Sequence, residues 1–302
     1  MQQFYSHGKL LLSAEYAVLD GALALALPTK FGQALTVEST PKNAILWKSI
    51  SSEGTVWFEA EFMIDTALKI SSKNTSDIAV RLLQVLDALQ QLNPSLFETQ
   101  KGYELTSTLE FPENWGLGSS STLINNLAQW AQVDAFELLE LTFGGSGFDI
   151  ACAQHDSGIL YQLKSGKPTL KPVVFSPPFL ESLFFVHRNQ KQNSRDGIRA
   201  YKTLTANQTL DFSILDGLSV DLLNCTDIKT FESLLEQHER YISDLIQHPP
   251  LKEALFSDYK GAIKSLGAWG GDFFLATGDT KAMAYFRAKG YSTIVPFSDM
   301  IL

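Results

Sequence analysis

Residues 116–122 constrain the fold of this chain more than any other segment. Their sequence, Gly-Leu-Gly-Ser-Ser-Ser-Thr, leads directly into apolar residues at helical spacing, which are Leu123, Ile124, Leu127, Ala128 and Ala131. Small, flexible residues followed by a period near 3.6 predict a loop that runs straight into a helix over 119–133. The fold must therefore hold a tight, glycine-rich turn against a helix N-terminus.

Such a loop has a specific chemical use. Glycine lets the backbone approach a ligand closely because no Cβ intervenes. The first helical turn presents N–H groups without intrahelical partners and carries partial positive charge, which suits a phosphate group. Serine hydroxyls can add hydrogen bonds or bind Mg²⁺. The alternative is an ordinary serine-capped helix after a turn.

Strands and helices alternate along the chain without the regular cadence of a doubly wound sheet, which predicts an α+β fold. The polar, breaker-rich stretch 164–168 predicts a boundary between two domains, 1–166 and 167–302. Strands are expected at 10–12, 22–27, 33–37, 44–48, 55–59, 103–109, 158–163, 169–175, 182–186, 272–276 and 292–296. Helices are expected at 76–92, 119–133, 135–142, from 149, at 194–204, 231–245, 251–265 and 280–289.

Charge and composition narrow the function classes. The net charge of −9 disfavours a broad nucleic-acid surface, although a few cations in a cleft could still bind an anionic substrate. The five histidines lack ligand spacing, so no zinc site is expected. No apolar run reaches membrane-helix length, residues 1–4 do not resemble a signal peptide, and only two cysteines occur. These features predict a cytoplasmic protein without a nucleic-acid or membrane partner.

Three further segments carry residues suited to chemistry. In 6–21, Lys9 follows Gly8 and could reach a phosphate, or could be a solvated edge-strand lysine. In 144–151, Asp149 follows four small residues and Phe148, where it could accept a proton or cap a helix. In 266–272, three glycines surround Trp269, which predicts a loop pressed against a ligand or a plain turn.

Together the four segments resemble the GHMP kinases, the family of galactokinase, homoserine kinase, mevalonate kinase and phosphomevalonate kinase. The N-terminal motif resembles 7–21, the central phosphate loop resembles 116–121, the Ser-Gly-x-Asp context resembles 146–149, and a C-terminal glycine-rich loop loosely resembles 267–271. The order and spacing fit over nearly the whole chain. The mevalonate and phosphomevalonate kinases look nearest, and 147–151 is similar to a bacterial subgroup with Gly-Tyr-Asp-Ile-Ala.

The resemblance implies a two-domain fold. An N-terminal ATP-binding domain over 1–166 would resemble domain 2 of ribosomal protein S5, and the C-terminal domain over 167–302 would be a ferredoxin-like α/β sandwich. It also implies transfer of the ATP γ-phosphate, with Mg²⁺, to a mevalonate- or phosphomevalonate-like acceptor. The expected partner is a small-molecule phosphoryl acceptor, and the chain is expected to be a monomer or homodimer.

The resemblance also implies roles for individual residues. Asp149 would be the base or substrate orienter, and Lys9 would stabilise Asp149 or the moving phosphoryl group. The expected nucleotide-binding residues are Gly116, Leu117, Gly118, Ser119, Ser120 and Ser121. The expected substrate-binding residues are Glu15, Tyr16, Ser146, Gly147 and Arg195, the last from a basic stretch with Arg188, Lys191 and Arg199 that could equally be a surface helix. The Mg²⁺ ligands would be Ser120 and a glutamate, for which Glu137 and Glu140 are the candidates and Glu140 is the one assigned. Both glutamates could instead be solvated helix residues.

Several positions depart from the family pattern. His7, Ala14 and Ser121 replace a proline, a glycine and an alanine, and Trp269 stands where a small residue is usual. Asp272 stands where the family has a small or apolar residue. An acidic side chain near phosphates is unfavourable unless it points away or binds metal.

Three functions follow from these residues. The first is an ATP-dependent kinase. The second is an ATP-dependent decarboxylase of a diphosphomevalonate-like acid, which shares the fold. The third is a catalytically silent family member that binds a metabolite. The presence of both Lys9 and Asp149 favours an active enzyme, whereas the altered C-terminal glycine motif favours the silent form.

Overall fold

The computed structural model describes residues 1–97, 101–190, 194–267, 269 and 271–302, without the side chains of 194 and 195. Its strands are β1 (Gln2–Leu11), β2 (Ala24–Thr40), β3 (Ala44–Ile50), β4 (Val56–Ile64), β5 (Ile70–Ser71), β6 (Gly102–Leu109), β7 (Gly158–Lys164), β8 (Lys167–Val173), β9 (Leu183–His187), β10 (Ile263–Ser265), β11 (Phe273–Thr277) and β12 (Ile294–Pro296). Its helices are α1 (Asp77–Leu92), α2 (Ser119–Ala131), α3 (Ala135–Thr142), α4 (Phe148–Ala153), α5 (Ser194–Thr205), α6 (Ser213–Asn224), α7 (Ile228–Ile246), α8 (Leu251–Leu255), α9 (Thr280–Ala288) and α10 (Phe297–Met300).

The chain forms two compact units. The first unit comprises Met1–Gly8, Phe31–Glu113 and Gly118–Gln154. The second comprises Lys9–Lys30, Asn114–Leu117 and His155–Leu302. The division expected from sequence, 1–166 and 167–302, differs from these units, because three segments of the N-terminal half, 9–30, 114–117 and 155–166, lie in the second unit. Composition alone could not reveal this, because the assignment to a unit depends on contacts between residues that are far apart in sequence.

In the first unit, the strands follow the order β5-β4-β3-β6-β2. β3 and β6 run parallel, whereas β3–β4 and β2–β6 are antiparallel. Burial alternates along β4 and β6, as expected for a sheet with one face against a core. That core joins sheet residues such as Leu105 and Phe62 to α1, α2 and α3 through Leu86, Ile124 and Leu138.

In the second unit, β9, β10, β11 and β12 form an antiparallel sheet in the order β10-β11-β9-β12. Along the chain, β9 leads through helices to β10 and β11, and α9 then leads to β12. This is the split βαβ arrangement of a ferredoxin-like fold, which confirms that expectation. Phe184, Phe274 and Phe286 meet in its core, and a separate β7–β8 hairpin pairs with the start of β2.

The α+β class is confirmed, but several elements differ from the sequence prediction. The expected helix over 251–265 is wrong, because α8 ends at Leu255 and β10 occupies Ile263–Ser265. The helix α6 was missed, as its apolar residues show little amphipathic contrast. The two strands expected at 22–27 and 33–37 are one long strand, β2, because Pro28 does not end it.

Candidate active site

The glycine-serine loop of 116–121 enters α2 without a side-chain cap. Gly118 is the N-cap residue at φ 89°, a left-handed conformation that favours glycine, and no side chain accepts from the first-turn amides as a cap. The first turn also has no acidic residue. The serine-capped alternative is therefore wrong, and the amides of the first turn retain the donor character that suits an anion.

The hydroxyls of this loop divide into two groups. Ser121 Oγ donates to the Gly118 carbonyl at 2.8 Å, and Thr122 Oγ1 donates to Gln33 Oε1 at 2.5 Å. These two hydroxyls thus hold the helix start in shape. Ser120 is exposed at the surface, so its hydroxyl can reach a ligand or a cation.

Residues 114–117, which lead into α2, are fixed within the second unit. The N–H of Lys9 donates to the Leu117 carbonyl at 2.9 Å, which ties the end of β1 to this segment. His187 Nε2 lies 2.9 Å from the Asn114 carbonyl, and the Trp115 ring stands edge-on to Phe273 at 5.2 Å. Leu117 is fully buried, so only its backbone can contribute to ligand binding.

His187 anchors the segment in one tautomer. Its Nδ1 accepts the N–H of Asn189 at 3.3 Å, so Nδ1 carries no proton and Nε2 must be the donor toward the Asn114 carbonyl. Sequence analysis missed this residue because its partner is a main-chain carbonyl in a distant part of the chain. No residue pattern marks such a bond.

Lys9 and Asp272 both lie beside this segment. The Lys9 side chain is half-buried, and its backbone bond to Leu117 is the link between the N-terminal and central motifs. The carboxylate of Asp272, from the C-terminal motif, packs against Gly116. The second unit thus brings together residues of three motifs that lie far apart in sequence.

Asp149 lies in the first unit, at the second position of α4. Gly147, at φ 82°, is the N-cap residue of this helix and has no side-chain cap bond. The alternative that Asp149 caps the helix is therefore wrong. Asp149 is half-buried, while Ser146 and Gly147 beside it are buried.

The helix α4 packs against α2 within the first unit. Gln154 Nε2, just after α4, donates to Asn125 Oδ1 of α2 at 3.0 Å. Asn125 Nδ2 in turn donates to Ser6 Oγ at 2.9 Å. These bonds, the first partly buried and the second buried, fix the helix that carries Asp149 against the helix that begins with the serine loop.

Glu15 belongs to a buried ionic cluster, which we define as Glu15, His238, Glu239 and Lys264. Its carboxylate is fully buried and forms an ion pair with the ammonium of Lys264. Lys264 Nζ also lies 3.4 Å from Glu239 Oε1, and His238 Nε2 lies 3.7 Å from Glu15 Oε2. These contacts account for Glu15 without a ligand, so we assign it to the packing of its turn and leave it out of the proposed substrate contacts.

Burial dominates the titration of this cluster. Desolvation raises the pKa of Glu15, and Lys264 opposes the shift. Desolvation raises the pKa of Glu239 to about 7. It also lowers the pKa of His238, whose Nε2 accepts the N–H of Ala14 at 2.9 Å, so this histidine is neutral. Sequence reasoning missed Lys264 because it placed residue 264 on a helix.

Tyr16 packs against α5. Its ring stacks on Tyr201 with centroids 5.7 Å apart, and a Cβ on Gly197 would lie 2.3 Å from the Tyr16 hydroxyl oxygen. Gly197 therefore makes room for this tyrosine. Arg195 lies on the same helix, but its side chain and Lys191 are outside the described residues.

The expected metal ligand Glu140 is an exposed residue on α3. Among the described residues, no group of three or more histidine, cysteine, aspartate or glutamate side chains could hold a metal ion by itself. A magnesium ion at this site would therefore need oxygen ligands from a bound phosphate, which is usual for Mg²⁺ in nucleotide sites.

Comparison with solved structures identifies the fold. Over 97% of its length the chain is similar to the mevalonate kinase of Methanococcus jannaschii, at 14% identity, a TM-score of 0.67 and 96% of that chain covered. It is similar to the Streptococcus pneumoniae phosphomevalonate kinase solved with phosphomevalonate and AMPPNP, at 15% identity, a TM-score of 0.69, and 97% and 99% coverage. The Lactococcus lactis galactokinase solved with galactose shares 15% identity at a TM-score of 0.62, over 95% and 88% of the two chains.

This is the GHMP kinase fold. The likeness confirms the fold class expected from the four motifs, and it extends over nearly the full length of both chains. No protein-family model and no curated protein sequence matches the chain. Across the described ranges, none of the helices is long and apolar enough to cross a membrane.

Proposed function

We propose that this chain is an ATP-dependent GHMP-type kinase that phosphorylates a small-molecule hydroxyl or phosphate, with a mevalonate- or phosphomevalonate-like acceptor as first candidate. The observation that carries the proposal is the entry into α2: a left-handed Gly118 followed by first-turn amides that no side chain caps. A helix of this kind is a ready anion site. The kinase fold of the chain gives that site a matching context.

The donor set at this loop fits a nucleotide triphosphate. The amides of Ser119, Ser120 and Ser121 would donate to phosphate oxygens, and no acidic side chain in the first turn opposes them. The exposed hydroxyl of Ser120 would contact Mg²⁺. A Mg²⁺ ion held there would neutralise the charge that develops on the phosphate oxygens during transfer.

Asp149 is the proposed base. It takes the proton of the acceptor hydroxyl as that oxygen bonds to the γ-phosphorus and the bond from phosphorus to ADP breaks. Gly147 and the packing of α4 on α2 hold this carboxylate in place. Lys9 supplies positive charge to the transferring group, and its backbone bond to Leu117 fixes the end of β1.

The acceptor class rests on resemblance and not on a contact. Tyr16, Ser146, Gly147 and Arg195 are the proposed substrate residues, and Ser146 and Gly147 directly precede the helix that carries Asp149. An arginine would hold an anionic acceptor through charge-assisted hydrogen bonds. The structurally similar proteins act on different acceptors, since their names include mevalonate, phosphomevalonate and galactose.

The test is a phosphoryl-acceptor screen. The protein is incubated with ATP and Mg²⁺ plus mevalonate, phosphomevalonate, diphosphomevalonate, galactose or a heptose phosphate, and ADP and CO₂ are measured. ADP release that depends on one acceptor, without CO₂, supports the kinase. ADP with CO₂ would replace it by the decarboxylase, and tight acceptor binding without ADP would replace it by the silent, metabolite-binding form.

A further inference from the structure

The carboxylate of Asp272 occupies the space beside the first glycine of the loop. A Cβ built on Gly116 would lie 2.3 Å from both Cγ and Oδ2 of Asp272. Such distances are far shorter than any real contact, so only glycine permits this approach. The acidic group that departs from the family pattern therefore does not point away from the loop.

Backbone bonds hold Asp272 itself and Leu117, the residue that follows Gly116. The N–H of Asp272 donates to the Gln190 carbonyl at 2.9 Å, and its carbonyl accepts the N–H of Arg188 at 2.8 Å. These bonds continue the antiparallel ladder in which Phe273 pairs with His187. On the other side, the Leu117 carbonyl accepts the N–H of Lys9. These bonds fix the backbone of Asp272 and of Leu117, the residue after Gly116.

The backbone of Asp272 is also unusual. Its φ is 54°, in the left-handed region where glycine is preferred and aspartate is tolerated at a cost. A glycine at this position would relieve the strain and would match the small residue of the family pattern. Retention of a side chain in a sparsely populated conformation beside a ligand loop points to a role for that side chain.

Under the proposed function, this placement creates an electrostatic conflict. A triphosphate at the loop brings several negative charges toward Gly116, where a carboxylate already lies. Like charges in close contact are unfavourable unless a cation lies between them. Mg²⁺ in nucleotide sites binds one or two carboxylates together with phosphate oxygens, which resolves the conflict.

We propose that the Asp272 carboxylate is a ligand of the divalent cation in a metal–ATP complex bound beside Gly116. The inference rests on the proposed function. It places the metal contact on the C-terminal glycine motif. The sequence resemblance placed that contact on Glu140, an exposed residue of α3. Asp272 thereby makes tight nucleotide binding dependent on the cation.

Equilibrium binding of ATP with Mg²⁺ and with EDTA tests this assignment. Two variants remove the carboxylate. Asp272→Asn keeps the shape of the side chain. Asp272→Gly suits the left-handed φ, so it should keep the fold if Asp272→Asn does not. Glu140→Gln tests the other candidate metal ligand. Asp221→Asn changes an exposed aspartate of α6 and is the matched control. Circular dichroism and melting temperature verify that each variant is folded.

Two changes in ATP affinity are expected. Mg²⁺ tightens ATP binding to the wild type by roughly tenfold or more, because the cation removes the repulsion and adds a bond. In both Asp272 variants metal-free ATP binds more tightly than to the wild type, and the effect of Mg²⁺ is largely lost. Glu140→Gln and Asp221→Asn bind as the wild type does.

A spectroscopic readout accompanies the binding data. Mn²⁺ replaces Mg²⁺, and its electron paramagnetic resonance signal is recorded with protein and AMPPNP. The wild type is expected to hold the manganese in an immobilised, protein-bound state that both Asp272 variants weaken.

Each other outcome overturns the assignment. An unchanged Mg²⁺ effect in the folded Asp272 variants shows that the carboxylate does not contact the metal. Tighter binding of ATP and Mg–ATP by the same factor shows repulsion alone, and equal weakening of both shows a positioning role only. Loss of the Mg²⁺ effect in Glu140→Gln transfers the role to that residue. A wild type that binds ATP in neither condition contradicts the proposed function itself.

Discussion

The roles of two glycines in this chain follow from their backbone conformation. Gly118 ends the loop in a left-handed conformation, which leaves the first turn of α2 without a side-chain cap. Gly147 does the same before α4, which puts Asp149 at the second helical position instead of the cap. Both are places where an aspartate or serine cap would be the ordinary solution. At α2, a helix of 13 residues, the missing side-chain cap favours a ligand as the acceptor of the first-turn amides.

Gly118→Val tests the first of these turns. A β-branched residue at φ 89° is strained, so the loop would rearrange at a cost of about 1–2 kcal/mol or more. We expect ATP affinity to fall at least tenfold while the melting temperature falls only modestly. Isothermal titration with ATP–Mg²⁺ measures the first and calorimetry the second. Wild-type affinity in the folded variant would remove the loop from nucleotide binding.

Asp149→Asn tests the proposed base. The amide keeps the shape of the side chain but cannot take a proton, so turnover should fall by about 10²- to 10⁴-fold. ATP affinity should stay within about threefold, because a base acts mainly in the transition state. Asp221→Asn, exposed on α6, is the control. An unchanged turnover number for Asp149→Asn would exclude this residue from the mechanism.

At the scale of elements, the turn after β1 is fixed by charges that come from α7 and β10. The cluster of Glu15, His238, Glu239 and Lys264 is buried, and Ala14 and Tyr16 on either side of Glu15 have φ values of 63° and 61°. Left-handed residues other than glycine need surrounding contacts to hold them. The bond from Ala14 to His238 and the Glu15–Lys264 pair supply these contacts.

Lys264→Met leaves the Glu15 carboxylate buried without its cation. Breaking a buried pair from one side typically costs about 3–5 kcal/mol. The double variant Lys264→Met with Glu15→Gln removes both charges, so it should recover a large part of the loss. Chemical denaturation at neutral pH measures both. A double variant as unstable as the single one would show that the ion pair is not the source of the effect.

Glu239 makes stability depend on pH. Burial raises its folded-state pKa from 4.5 to about 7, so the folded state binds the proton more tightly than the unfolded state. Its contribution is therefore complete below pH 4.5 and is lost as pH rises through about 7, by up to about 3 kcal/mol. Glu239→Gln should flatten this fall between pH 5 and pH 8. Glu38→Gln, exposed on β2, should leave it as in the wild type. Urea unfolding at both pH values measures the difference, and equal slopes for Glu239→Gln and the wild type would contradict it.

The sequence predicted helices and strands well where the hydrophobic periodicity was strong. It predicted them poorly where tertiary contacts determine the secondary structure. α1, with its Ser76 cap, and α9 lie where apolar spacing and capping residues place them. The segment 251–265 read as a helix because its apolar residues lack a strand alternation. Its last three residues instead join β11 in an antiparallel pair, a long-range contact that no local pattern reveals.

At the scale of the whole molecule, motif order predicted the fold although the structurally similar kinases share only about one residue in seven with this chain. Four short segments carried that prediction, because the loops that meet a ligand constrain sequence more than the core does. The compact units were not predictable in the same way. Residues 9–30 and 114–117 belong to the second unit through long-range contacts such as the Glu15–Lys264 ion pair and the His187–Asn114 bond.

Side-chain positions set by local sequence were likewise predictable, whereas those set by long-range contacts were not. The position of Asp149 near the start of α4 and of the serines in the first turn of α2 followed from local sequence. The burial of Glu15 and the contact of Asp272 with Gly116 did not, since each depends on a partner more than a hundred residues away. Fold likeness likewise leaves the acceptor open, because one fold supports many substrates.

The most direct test of the account is whether a triphosphate binds at the amides that begin α2. Amide chemical shifts of the isotope-labelled protein are recorded during titration with AMPPNP and Mg²⁺, with adenosine as the control ligand. We predict large shifts for the amides of Ser119, Ser120 and Ser121 with AMPPNP and small ones with adenosine. Saturable AMPPNP binding that leaves these three amides unmoved would contradict the account.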